Sequence, residues 1–105
     1  MTTPAGNALA LTGDELAEVR AILAAHLPAG TTVRVFGSRA SGTPKPWSDL
    51  DLAVEGDSPL PLSVMAQLVE AFDESALPWK VDLVDGKAIS PGFAAIIAQT
   101  GVPLG

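Results

Sequence analysis

Two aspartates separated by a single leucine, Asp49 and Asp51, interrupt an apolar stretch a short loop after a Gly37-Ser38 pair. Residues two apart on a strand leave the same face with Cα atoms about 6.5–7 Å apart, so both carboxylates can converge on one hard cation. A third carboxylate, Asp82, stands between Val81 and Leu83 in a later apolar run. Its parity leaves it opposite the core-facing residues. If that third strand lies beside the second, all three acids share one surface. Their repulsion is relieved by a divalent ion such as Mg²⁺, which takes oxygen ligands at about 2.1 Å. Two such ions roughly 3.5–4 Å apart would clamp an in-line displacement at phosphorus, bridged by Asp49 and Asp51. Asp82 would hold the ion beside the attacking hydroxyl and help take its proton. Gly37 lets the backbone approach triphosphate oxygens, Ser38 would donate a hydrogen bond, and Arg39 would either neutralise phosphate charge with its fork of donors or form a surface salt bridge. Gly-Ser alone, or Asp-x-Asp alone, decorates many loops. Together, with a third acid at matching parity, they read as a metal-dependent nucleotide site.

The elements that must position these residues follow from periodicity. Thr12-Gly13-Asp14-Glu15 has capping-box spacing, and Leu16, Val19, Leu23 and Leu27 recur at helical intervals until Pro28 and Gly30. A helix over 14–27 is expected. Thr32 to Phe36 is rich in β-branched residues and reads as a strand that stops at Gly37. Ser48 to Val54 reads as a second strand, with Leu50, Leu52 and Val54 on one face and Asp49, Asp51 and Ala53 on the other. A helix from about Leu62 to Ser75 should bury Met65, Leu68, Val69 and Phe72. Lys80 to Val84 is the third strand, ended by the Asp85-Gly86 turn. A last helix begins at a Ser90 cap with Pro91 in its first turn, buries Phe93, Ile96 and Ile97, and stops at Gly101. The economical architecture is α/β of the α+β type: a small mixed sheet of about three strands, with the helices packed on one face and the aspartates on the other.

Length and composition bound the rest. A chain of 105 residues makes one domain, 1–105, of which 1–11 reads as a flexible tail. With 48% apolar and 17% charged residues it is globular rather than disordered. No apolar run approaches the ~18 residues of a membrane span, and the N-terminus lacks the basic start of a secretory signal. The absence of cysteine excludes disulfides and thiolate metal sites and fits a reducing, cytoplasmic setting. Six basic residues against twelve acidic ones, with no basic stripe, argue against a long nucleic acid as a partner.

The wording Gly37-Ser38-Arg39-Ala40-x-Gly42, followed by Ser48-Asp49-Leu50-Asp51-Leu52 and Asp82, resembles the polymerase-beta-type nucleotidyltransferase superfamily. Within it, the short chain is similar to the minimal nucleotidyltransferases, many of them antitoxins paired with a HEPN-domain toxin. The resemblance covers 32–84 closely, and the flanking helices fit in order and length. It implies the small mixed sheet of that superfamily, with Asp49, Asp51 and Asp82 as metal-binding carboxylates. Gly37 and Ser38 match its nucleotide-phosphate motif. The implied activity is transfer of a nucleoside monophosphate from a triphosphate to an acceptor hydroxyl. In the antitoxin branch that means AMP from ATP onto a toxin tyrosine, with Mg²⁺ as cofactor. Residue 41 is serine where the family often has a basic residue, which weakens phosphate or polynucleotide contact there.

Other residues have plainer readings. His26 at the end of the first helix complements its dipole. Trp47 borders the proposed site or is simply an exposed loop aromatic, and Trp79 is core or partner contact. Lys45, Lys80 and Lys87 read as solubilising charges, although Lys80 shares the parity of Asp82 and so has a possible phosphate role. The competing functional reading is a non-catalytic module that neutralises a toxin by occlusion, its acidic surface docking on a basic partner. A small-molecule acceptor such as an aminoglycoside usually needs added structure that this chain lacks.

Overall fold

The computed structural model describes residues 11–37 and 49–104. Helix α1 spans Gly13–His26, and its capping box is formed: Glu15 N donates to Thr12 Oγ1 at 3.1 Å, and Thr12 N donates to Glu15 Oε1 at 3.0 Å. The chain turns extended at Leu27, before Pro28. Strand β1, Thr32–Phe36, ends where Gly37 takes a φ of +77°, a left-handed conformation that glycine adopts without a Cβ penalty. Strand β2 is Leu50–Glu55, helix α2 Leu62–Asp73 and strand β3 Val81–Asp85. Helix α3, Pro91–Thr100, has Ser90 Oγ accepting from Phe93 N at 3.2 Å and Gly101 at its C-cap. A two-residue strand β4, Val102–Pro103, follows.

The sheet has the order β3-β2-β1-β4, with β2 and β3 parallel and the other two pairs antiparallel. Among the described residues it therefore holds four strands instead of about three. The additional strand is too short, and too interrupted by Pro103, to show a period of its own. Helix α2 makes the crossover that the parallel β2–β3 pair requires. Leu16, Val19 and Leu23 of α1 and Leu68 and Phe72 of α2 close over Val35, Leu50, Leu52 and Val54 to form one core. Leu50, Leu52 and Val54 are fully buried, and each such side chain stabilises by roughly 1.5–3 kcal/mol. A one-residue slip of β2 would expose all three and bury Asp51, so the core fixes the face on which the acids stand.

Some expected details differ. Leu11, placed at the end of the tail, is buried in the core, and residues 1–10 lie outside the described residues. Val69 is 44% exposed, because the buried stripe of α2 is narrowed to Leu68 and Phe72 with Met65 and Val64 at its flank. On α3 only Ile97 is buried, while Ile96 is exposed and Phe93, 36% exposed, packs edge-on against Phe36 with ring centroids 5.6 Å apart. That helix meets the sheet beside Phe36 and Arg34, whose parity is that of Asp51. Two helices thus cover one face, and the third touches the face that carries the acids. Trp79 is buried with the core.

Candidate functional site

Parallel pairing of β2 with β3 sets Asp51 directly beside Asp82. Adjacent strands lie about 4.8 Å apart, so two carboxylates leave one face from neighbouring positions. Asp49 lies just before β2, two residues from Asp51, and is exposed. On the other side Asp51 pairs with Phe36 of β1, which leads directly into Gly37. The three strands therefore bring Asp49, Asp51, Asp82 and the glycine turn to one end of one sheet face. Ser38 and Arg39, the other two nucleotide-site candidates, lie outside the described residues, as do Trp47 and Ser48.

Gly37 is fitted to Asp51. A Cβ built on it would collide with Asp51 Oδ2 and stand 3.2 Å from Cγ. The glycine thus supplies a left-handed turn and also the space in which the carboxylate sits. Burial pushes the Asp51 carboxyl above its ordinary value of 3.8, and the charges of Asp82 and then Asp49 push it the same way. Ionised Asp51 is therefore short of positive charge.

Among the described residues, no three carboxylates stand close enough to grip an ion as they lie. The chemistry of the set nonetheless fits a hard divalent cation. The donors are all carboxylate oxygens, two of them from adjacent strand positions, and the most buried member is destabilised by its neighbours' charge. Asp82 carries a cation of its own: Lys80 Nζ lies 3.7 Å from Asp82 Oδ1. The sequence signalled this through the shared parity of Lys80 and Asp82. Phe36 gave no such signal, since its place beside Asp51 depends on the antiparallel register.

Asp85 was legible only as half of a turn, yet it is buried and holds two loops in place. Its Oδ2 accepts from Leu60 N at 2.6 Å and its Oδ1 from Lys87 N at 2.9 Å. It faces the core side of β3, away from Asp82, and braces the end of the sheet opposite the site.

Comparison with known proteins shows the family and the fold. Residues 16–102 match the nucleotidyltransferase domain family. A probable protein adenylyltransferase MntA of Haemophilus influenzae is 45% identical over 94 residues, which cover 90% of this chain and 82% of that protein. A crystal structure of a toxin-antitoxin with AMP-PNP superposes with a TM-score of 0.73 at 28% identity, covering 86% of this chain and 72% of the other. A crystal structure of the toxin-antitoxin MntA-HpeT carrying two aspartate-to-glutamate substitutions gives 0.72 at 26% identity, with the same coverage. No helix among the described residues is long and apolar enough to cross a membrane.

Proposed function

The chain belongs to the nucleotidyltransferase domain family, and on that premise we propose a Mg²⁺-dependent protein adenylyltransferase that acts as an antitoxin. It moves AMP from ATP to the hydroxyl of a tyrosine on a cognate HEPN-domain toxin. The whole chain, 1–105, works as one unit, in the cytoplasm where ATP is at hand. The observation that carries this reading is the in-register pairing of Asp51 with Asp82 beside the Gly37 turn. The similarity to a protein adenylyltransferase and to toxin-antitoxin structures supports the choice of group and partner.

In this reading Asp49, Asp51 and Asp82 hold two Mg²⁺ ions. The ions, when bound, neutralise the triphosphate and stabilise charge developing on the attacking and leaving oxygens. The Gly37 turn lets backbone amides approach the phosphate oxygens, with Ser38 and Arg39 as further donors. The acceptor hydroxyl attacks the α-phosphorus, the bond to the pyrophosphate oxygen breaks, and pyrophosphate leaves with its electron pair. Asp82, whose side chain is 44% exposed, takes the hydroxyl proton on a carboxylate oxygen.

The test is incubation with ATP labelled at the α-phosphate, Mg²⁺ and the product of the neighbouring gene. Label should appear on that protein with the wild-type chain and disappear with Asp49→Asn or Asp51→Asn. An unlabelled partner, with a folded and metal-loaded sample, counts against the reading. Occlusion without catalysis is the second reading. Exposed Phe93 and Ile96 near the site face and a formal charge of −6 favour it. Toxin neutralisation that survives the double change Asp49→Ala, Asp51→Ala would select it.

A further inference from the structure

Lys80 and Asp82 lie two apart and leave the same face, and their charged groups stand 3.7 Å apart. Leu50 N donates to Lys80 O at 2.9 Å, and Leu50 pairs with Val81, so Lys80 lies level with Asp49 on the adjacent strand. The ammonium thus stands at the open end of the face that carries Asp49, Asp51 and Asp82. The other ion pair among the described residues, Arg34 with Glu55, lies further along the sheet, two residues below Phe36. Among the described residues at the site, three carboxylates face one ammonium.

We infer that Lys80 is a resident counter-cation that competes with the divalent ion for Asp82 and thereby sets the cation affinity of the site. This rests on the reading that the three aspartates hold that ion. As a contributor to stability the pair is weak, because both side chains are well exposed, at 68% and 44%. Its effect on a doubly charged ion is larger, since repulsion scales with the product of the charges. For charges about 6 Å apart in a water-like medium, this repulsion weakens cation binding by roughly tenfold. Screening at physiological salt reduces that to about three- to fivefold. Lys80 is therefore a positioning residue in this sense: it holds Asp82 and tunes its availability without touching substrate.

The experiment is calorimetric titration of Mn²⁺ alone, without nucleotide, into the wild-type chain, Lys80→Met and Lys80→Arg at low and high salt. Lys80→Met should bind Mn²⁺ about three- to tenfold more tightly, and Lys80→Arg should match the wild type. The gap between Met and wild type should shrink as salt rises. A merely solubilising or fold-supporting lysine would leave Mn²⁺ affinity where it is. Unchanged or weaker binding in a folded Lys80→Met protein overturns the inference. Asp51→Asn separates the two levels. If it abolishes Mn²⁺ binding while Lys80→Met changes nothing, the carboxylate site stands and the role given to Lys80 falls. If wild type and Asp51→Asn bind alike, the site reading falls and the inference falls with it.

Discussion

Replacing Gly37 by alanine should damage stability and the site through one side chain, and a double-mutant cycle can isolate that coupling. The φ of +77° at Gly37 costs an L-residue roughly 1–2 kcal/mol, offset by about 0.4–1 kcal/mol from a stiffer unfolded chain. The new Cβ also collides with Asp51 Oδ2, so the carboxylate must leave its rotamer for about 0.5–1.5 kcal/mol more. The sum is about 0.5–3 kcal/mol. For a domain of this size that lowers Tm by roughly 2–24 °C. In an Asp51→Ala background the two closest Asp51 atoms are gone, and the Cβ that remains stands 3.5 Å from the new methyl, an ordinary van der Waals contact. The steric part then disappears while the backbone part persists. Urea unfolding of wild type, Gly37→Ala, Asp51→Ala and the double variant should give a coupling of about 0.5–1.5 kcal/mol, the double variant being less destabilised than the sum. Additivity within about 0.3 kcal/mol would show that Gly37 does not make room for Asp51, and the reasoning about the turn would fail.

Three further outcomes follow from the same contacts. Asp85→Ala strands the amides of Leu60 and Lys87 and should cost about 1–3 kcal/mol in thermal unfolding; a Tm within a degree or two of wild type would contradict the bracing role. Thr12→Ala removes half of the capping box and should cost about 1 kcal/mol, with no change in Mn²⁺ affinity, because α1 lies across the sheet from the aspartates. In metal-free buffer, Asp51 binds its proton more tightly when folded than when unfolded, so its contribution to stability falls as pH rises from 3.8 through the raised folded value and stays lost above it. Asp51→Asn should therefore raise the Tm of the metal-free protein at neutral pH, and the gain should vanish in strongly acidic buffer. A lower Tm at neutral pH would refute the burial and repulsion assigned to this group.

What the sequence could reveal was set by how local each feature is. The Thr12–Glu15 capping box, the β-branched run Thr32–Phe36 and the Leu50-Leu52-Val54 alternation carry their own signals, and the structure has them all. The face of Asp51 followed from parity alone. That Asp82 stands beside Asp51 depends on β3 pairing with β2, a long-range choice made by the α2 crossover and the shared core. The resemblance supplied that adjacency in advance, and periodicity by itself did not. Phe93, Ile96 and Val69 look like core residues in their helical stripes, yet α3 lies beside Phe36 and Arg34 with Ile97 as its buried residue, and α2 turns a narrower face inward. The two bonds of Asp85 join loops 25 and 2 residues away, and no spacing rule announces the first of them.

The claim on which everything turns is that Asp49, Asp51 and Asp82 gather a divalent cation beside the Gly37 turn. Paramagnetic broadening by substoichiometric Mn²⁺ in the amide NMR spectrum tests it residue by residue. The resonances of Gly37, Asp49, Asp51 and Asp82 should broaden first, and Asp51→Asn should abolish the pattern. Broadening centred on Asp57, Glu70 or Asp73, or no selective broadening at all, would contradict it.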